Sequence, residues 1–339
     1  MSSPPRIVLG PQRLLPLAGR ELDALGVLDE PDAYAAVITA GWQERESEDD
    51  ELKEACGGRV KNLNLYARWE EIMREDPDLA TAHRARQDTL RRLQELYRLR
   101  LTSAKSVVEQ LLATHAPEEL LEPEIEAAID AIRRVDAHHL VRIRAIRSAF
   151  DRAQTPLERP AVRRHVEELA ELVGAAGAVL LAGGHVAVLL NRLQLFGFES
   201  LLADKPVIAW SAGAMALSDR VVLFHDAPPQ GMGHAEVFDE GLGLIQGVVV
   251  LPHARTRLRL GDTPRVSLLA RRFHPSTCLA LDEGERLGWP DGVPGAPPSA
   301  RRLRLDGKVE PIGETAKSTF RVGLFDDSAG ADSHVVDLL

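Results

Sequence analysis

The stretch KPVIAWSAGAMALSDR (residues 205–220) joins an apolar run directly to a serine and an alanine-rich segment. Val207–Trp210 is short and continuously apolar, which is typical of a strand buried on both faces. The alanines that follow favour a helix. Ser211 therefore lies where a buried strand turns into a helix, and its neighbours Ala209 and Gly213 are small.

Strand and helix patterns alternate on both sides of this turn. Upstream, a helix pattern lies between two apolar runs, RIVLG and YAAVITAG. Downstream, the strand-like runs are GAVLLAGG, IQGVVVLPH and TCLALDEGERL, separated by the helix patterns HVAVLLNRLQLFGF and TPRVSLLARRF. Such alternation with short connections predicts an α/β fold: a mostly parallel sheet with helices on both faces. We assign residues 1–47 and 174–339 to this core domain.

Residues 48–173 contain no convincing strand, and they carry two long apolar stripes at helical spacing. The first comprises Leu90, Leu93, Tyr97, Leu101, Ala104, Val108 and Leu111, and the second Ile125, Ile129, Ile132, Val135, His139, Ile143, Ile146 and Phe150. We predict a large all-α insertion built on an antiparallel hairpin. Two copies of the chain could form a homodimer through this hairpin. The arginines of the second predicted helix and its His138–His139 pair could also bind an anionic partner or a metal. We favour a solvated face or a dimer contact, because adjacent histidines on a helix point about 100° apart.

Composition excludes several classes of protein. The chain has 339 residues, a formal net charge of −10 and two cysteines. The acidic balance argues against nucleic-acid binding, and Cys56 and Cys278 form neither a disulfide framework nor a zinc motif. We see no signal peptide and no run of 18 apolar residues, so we expect a cytoplasmic protein without a membrane segment.

A serine between small residues at a strand-to-helix turn is the nucleophile-elbow pattern. The turn raises the hydroxyl above the sheet, and small flanking residues let the strand and helix backbones approach each other. The backbone N–H of Ala212 lies at the start of the helix, where unpaired donors favour an oxyanion. The alternative is a serine that only caps the helix.

A catalytic serine needs a base, and His253 is the best placed of the histidines after it. It follows GVVVLP directly, at the carboxyl end of a predicted parallel strand, where ligand sites gather. The other downstream candidates are His225, His234 and His274. A carboxylate in the strand-ending pair Asp282-Glu283 could orient the imidazole, unless this pair is a solvated loop.

The pair Gly183-Gly184 ends the strand before the serine strand and could supply a second oxyanion donor. A phosphate cradle would look similar. However, GGHVAVLL lacks both the dinucleotide-binding glycine pattern and the P-loop lysine. We therefore expect no nucleotide, and no cofactor or metal.

Four segments, in this order, resemble the serine peptidase family of dipeptidase E and cyanophycinase: AGGHVAVLLNRL, VIAWSAGAMAL, GLGLIQGVVVLPHARTRLRL and LALDEGERL. The resemblance implies a flavodoxin-like core of the class I glutamine-amidotransferase type. It also implies that Ser211 is the nucleophile, His253 the base and Glu283 its orienter, with Asp282 as the second choice. The oxyanion donors carried over are Gly184 and Ala212.

The same resemblance suggests a substrate class. His185 stands where the family usually has Asn or Asp, and arginines after the histidine help to bind acidic substrate groups, here Arg255 and Arg257. We add Trp210 as a substrate-binding candidate. The expected reaction is hydrolysis of an amide or peptide bond of a small acidic peptide through an acyl-enzyme. The alternative is a non-catalytic binding or assembly protein that retains the elbow, whereas a glutamine amidotransferase would need cysteine in place of Ser211.

Overall fold

The computed structural model describes residues 3–226, 233–290, 293–295, 298–312 and 321–322. Residues of the assigned core domain outside these ranges, including all those after 322, lie outside the described part. The strands are β1 (Arg6–Leu9), β2 (Ala35–Ile38), β3 (Val60–Asn62), β4 (Ala178–Leu181), β5 (Val207–Trp210), β6 (Arg220–Leu223), β7 (Glu236–Glu240), β8 (Ile245–Gln246), β9 (Val248–Pro252), β10 (Thr277–Leu281), β11 (Arg286–Trp289), β12 (Arg301–Leu303), β13 (Val309–Pro311) and β14 (Arg321–Val322).

Helices fill the connections between these strands. The α-helices are α1 (Ala18–Ala24), α2 (Asp50–Ala55), α3 (Leu65–Glu75), α4 (Pro77–Leu112), α5 (Glu118–Gln154), α6 (Pro160–Ala175), α7 (Val186–Leu195), α8 (Phe198–Leu201), α9 (Ala212–Leu217), α10 (Ala254–Arg257) and α11 (Thr263–Phe273). Two 3₁₀ segments, Ala40–Arg45 and Pro156–Glu158, follow β2 and α5. In the described ranges, no helix is long and apolar enough to cross a membrane.

The central sheet has six strands in the order β11-β1-β5-β4-β2-β3. All neighbours are parallel except β11, which runs antiparallel to β1. Both faces are buried, as β4 illustrates: Ala178 and Leu180 pack on the side of α1, whereas Val179 and Leu181 pack on the opposite side. Burial on both faces explains why these strands are continuous apolar runs. The predicted α/β class is confirmed.

Strand β3 corrects one prediction, because it lies inside the segment expected to be wholly helical. It pairs in parallel with β2 and forms the edge of the central sheet. Of its residues only Val60 is buried, whereas Lys61 is exposed, so the sequence shows no strand pattern there. The segment 48–173 is therefore not all-α, and its first part belongs to the sheet.

The long hairpin of α4 and α5 follows the two predicted stripes. Tyr97, Leu101 and Val108 are buried on α4, and Ile129 and Ile132 on α5. Three arginines of α5 form ion pairs: Arg133 with Glu126 and Asp130, Arg144 with Glu240, and Arg147 with Asp239. These pairs attach the helix to itself and to β7.

A second sheet, in the order β13-β12-β10-β9, carries the strand that precedes His253. The sequence did not reveal that β9 and β10 leave the central sheet. The turn after β10 connects the two sheets, because β11 returns along β1. At this junction the N–H of Gly10 donates to the carbonyl of Glu285 at 2.9 Å. A Cβ at Gly10 would lie 1.8 Å from the carbonyl oxygen of Asp282, so only glycine fits.

Candidate functional site

Ser211 occupies a strained turn between β5 and α9. Its backbone has φ 53° and ψ −120°, a region that residues with a side chain rarely adopt. The turn ends the strand abruptly and directs the serine side chain out of the sheet. This conformation is the one expected for a nucleophile elbow.

The small residues around Ser211 have a steric reason. A Cβ on Gly213 would lie 2.2 Å from the carbonyl oxygen of Leu181, and a Cβ on Gly183 would lie 2.7 Å from the Cβ of Ser211. Ala209 is fully buried beneath the turn. Larger side chains at these positions would separate α9 from β4 or displace the serine.

His253 reaches the serine from the second sheet. The distance from Ser211 Oγ to His253 Nε2 is 3.0 Å, within the range for a proton-transfer hydrogen bond. His253 has left-handed backbone angles, φ 57° and ψ 35°, and its N–H donates to the carbonyl of Leu281 at 2.9 Å. Two strand ends from two sheets thus converge on one pair of reactive groups.

The His253 ring is half-buried, and its surroundings favour the neutral form. Burial lowers the pKa of His253, and the guanidinium of Arg257 lowers it further, whereas Asp282 and Glu283 oppose both effects. A neutral imidazole is the form that accepts the serine proton.

We expect kcat/KM to rise with pH through an inflection below 6.5, the ordinary pKa of histidine, and to be level at neutral pH. Arg257→Gln removes one cause of the lowered pKa, so the inflection should move to higher pH. Arg259→Gln is the control, since Arg259 is not among the groups that shift the His253 pKa. An identical pH profile for Arg257→Gln and wild type would contradict this account.

Neither carboxylate after β10 is hydrogen-bonded to the His253 ring among the described residues. Asp282 is buried and otherwise engaged: it accepts the N–H of Arg255 at 3.1 Å and forms an ion pair with Arg301. Glu283 is partly exposed and makes no hydrogen bond or ion pair within the described ranges. The structure therefore joins Ser211 to His253 and leaves the third predicted member of the triad close by but unattached.

Two backbone N–H groups beside the serine are free to bind an anion. Ala212 is the first residue of α9, and Gly184 follows the glycine that touches Ser211. Neither N–H has a hydrogen-bond partner among the described residues. Gly184 has φ 108°, and a Cβ there would lie 2.4 Å from the carbonyl oxygen of Gly41, so a glycine is required.

The predicted substrate-binding residues lie in three different settings. His185 is exposed and begins α7, where its Nδ1 faces the N–H of Val188 at 3.4 Å. Arg255 is exposed beside Asp282 and Glu285, and Arg257 lies near the His253 ring. The Trp210 side chain is 6% exposed and packs in the core on the α1 side of the sheet. Trp210 thus has little surface to offer a substrate, and we no longer include it.

The loop after β2 lies at the rim of the site, as expected for a segment that leaves the carboxyl edge of a parallel sheet. The carbonyl of Gly41 accepts the N–H of His185 at 2.7 Å, which holds the glycine turn in place. Gln43 has φ 60° and ψ −129°, almost the conformation of Ser211. The end of the β2 run at Gly41 indicates a turn at this edge of the sheet, but not the contact of Gly41 with His185.

Comparison with known proteins finds likeness only among solved structures, of which twelve chains match. No family model matches the chain, and no curated protein matches it. A solved structure of a peptidase from an acI-B1 Actinobacterium is similar with a TM-score of 0.44 and 15% identity. The match covers 91% of this chain and 97% of that one. In the described ranges, no group of three or more histidine, cysteine or acidic side chains is arranged to hold a metal ion.

Proposed function

We propose that this chain is a serine hydrolase that cleaves an amide or peptide bond of a small acidic peptide. The observation that carries the proposal is the 3.0 Å contact between Ser211 Oγ and His253 Nε2, made by a serine in a strained strand-to-helix turn. A serine that merely caps a helix needs neither the strain nor the imidazole. In fact, the Ser211 side chain makes no capping hydrogen bond.

In the proposed reaction, Nε2 of His253 accepts the hydroxyl proton while Oγ of Ser211 attacks the carbonyl carbon. The N–H groups of Gly184 and Ala212 donate to the oxyanion, each worth about 3 kcal/mol in comparable sites. His253 then protonates the leaving amine, and the acyl-enzyme remains. Water attacks this ester with His253 again as the base, which releases the acid and restores Ser211.

We assign Glu283 as the group that orients His253. Its carboxylate raises the His253 pKa, although less than Asp282 does, and it makes no hydrogen bond or ion pair among the described residues. Rotation of this side chain toward Nδ1 would complete the triad when substrate excludes water. Asp282 is the weaker candidate, because Arg301 and the N–H of Arg255 already hold it.

The substrate class is proposed from the cations around the mouth of the site. Arg255 and Arg257 lie on α10, immediately after the base, and Arg255 is 67% exposed. Guanidinium groups bind carboxylates in a bidentate manner, which suits an aspartyl side chain or a peptide terminus.

Screening aspartyl and isoaspartyl dipeptides for release of free amino acid tests this function directly. We expect turnover of at least one acidic dipeptide by wild type and none above background by Ser211→Ala. Neutral dipeptides of equal size serve as the matched substrates. Turnover that Ser211→Ala retains would overturn the proposal.

A second function remains a candidate because no carboxylate is bonded to the imidazole in the described ranges. The chain could be a non-catalytic binding or assembly protein that keeps the elbow for its fold. A fluorophosphonate probe distinguishes the two, since it labels only an activated serine. The homodimer through the hairpin and the cytoplasmic location also stay predictions.

A further inference from the structure

A cavity of about 460 Å³ lies between the α4–α5 hairpin, α7 and the β6–β7 ribbon. Its cationic and polar lining comes mainly from one face of α4 and one face of α7. The residues that matter here are Arg86, Gln87, Arg91, Arg98, Arg147, His185 and Gln194.

One residue of the cavity lining, His185, is close in the chain to the glycine beside the proposed nucleophile. His185 lines it, and Gly183, two residues earlier, is the glycine whose Cβ would lie 2.7 Å from the Cβ of Ser211. Two residues span at most about 7 Å. His185 thus lies within about 7 Å of the glycine that packs against Ser211, so the cavity lining comes near the proposed nucleophile.

The cavity lining contains four arginines and one acid, Asp239. Three of the arginines have carboxylate partners: Arg91 with Asp88, Arg98 with Glu236, and Arg147 with Asp239. Arg86 differs from them, because its guanidinium makes no hydrogen bond or ion pair with any described residue.

The Arg86 guanidinium is packed against a ring and contacts no carboxylate among the described residues. It stacks on the Phe150 ring at 4.1 Å, and its Nε is buried without a hydrogen-bond partner in the described ranges. Burial lowers the pKa of Arg86 to about 10 and the neighbouring Arg147 adds to this effect, whereas Asp151 and Asp239 oppose it. Neither carboxylate contacts the guanidinium, so this partly buried cation has room for a ligand carboxylate, which would offset the cost of its burial.

Two uncommitted amides accompany this cation. Gln87 and Gln194 line the same cavity, and their side-chain amides make no hydrogen bonds with described residues. Free amide donors in the same cavity as a guanidinium without a contacting carboxylate form a set suited to a carboxylate with both oxygens bound.

We infer that Arg86 binds a carboxylate of the substrate in this cavity, an inference that rests on the proposed hydrolase function. The hairpin would then form one wall of the substrate site. Specificity for acidic peptides would come from α4 as well as from the arginines after His253.

Calorimetric titration of the Ser211→Ala protein tests the inference without turnover. Two ligand pairs are compared: aspartyl-alanine with asparaginyl-alanine, and aspartyl-alanine with its C-terminal amide. We expect the carboxylate member of at least one pair to bind more tightly. Adding Arg86→Gln should reduce that preference roughly tenfold or more, as for loss of a hydrogen bond to a charged group. The inference would be overturned if the Ser211→Ala protein bound both ligands of each pair equally tightly. It would also be overturned if adding Arg86→Gln left the preference for the carboxylate ligand unchanged in both pairs.

Arg92→Gln is the matched control, because it removes an exposed arginine from the same helix outside the cavity. It should leave both ligand preferences unchanged. Thermal melting checks that each variant is folded. If Arg86→Gln does not fold, Arg86→Lys is titrated with the same ligand pairs instead. Lysine keeps the charge but not the planar fork, so the preference should fall in part; full retention counts against the inference. With Ser211 present, Arg86→Gln should still react with fluorophosphonate, which separates failure of this site from failure of the hydrolase proposal.

Discussion

Replacing Ser211 with alanine is expected to abolish fluorophosphonate labelling and to lower kcat by about 10⁴- to 10⁶-fold, as removal of a hydrolytic serine does elsewhere. The expectation follows from the 3.0 Å contact with His253, because that hydrogen bond has no other evident use. Labelling is measured by mass spectrometry of the intact protein, and turnover with the best dipeptide from the screen.

Two further variants separate the nucleophile from the fold. Ser200→Ala changes an exposed serine of α8 and should label and turn over like wild type. Ser211→Gly should be as inactive as Ser211→Ala yet at least as stable, because glycine adopts φ 53° and ψ −120° without strain. Labelling that persists in both Ser211 variants would mean that another serine is the reactive one.

The pair at the centre of the site could be predicted from the sequence because local rules decide both residues. Small neighbours at a strand end indicate the elbow at Ser211, and a histidine at the next suitable strand end indicates His253. The carboxyl ends of these strands converge even though they belong to different sheets. The direction of the two strands was therefore enough to predict where the site lies, without knowing that they belong to different sheets.

The third member of the triad could not be chosen in this way. Asp282 and Glu283 are adjacent, so they follow the same strand end and have the same local pattern. What distinguishes them is Arg301, which lies on β12 and pairs with Asp282. The ion pair of Asp282 with Arg301 leaves Glu283 as the carboxylate without a partner in the described ranges. Because Asp282 and Arg301 are 19 residues apart in the chain, no local sequence pattern predicts their contact.

The same limitation applies to β3 and to Arg86. Strand β3 is three residues long with one buried side chain, so its strand character comes from pairing with β2 and not from its own sequence. Arg86 is one of many arginines on helices. Its lack of a carboxylate partner depends on residues from α5, α7 and β7 that surround it. Tertiary packing, and not residue type, distinguishes it from the paired arginines.

Asp136→Ala is expected to destabilise the protein by about 3–5 kcal/mol, because it leaves the buried Arg272 without its counter-ion. The Asp136 carboxylate accepts from Nε and Nη2 of Arg272, both at 2.7 Å, and from the Tyr97 hydroxyl at 2.7 Å. Arg272 is 5% exposed. This network joins α4, α5 and α11, so it fixes the hairpin against the core and with it the wall of the proposed substrate cavity.

Urea unfolding of Asp136→Ala, followed by circular dichroism, measures this loss. Asp130→Ala is the control on the same helix: its side chain is 47% exposed and pairs with Arg133, so the cost should be below about 1 kcal/mol. The double variant Asp136→Leu with Arg272→Met should be more stable than Asp136→Ala, since apolar partners leave no buried charge. An Asp136→Ala protein within about 1 kcal/mol of wild type would mean that water reaches Arg272 and that this network contributes little to holding the hairpin.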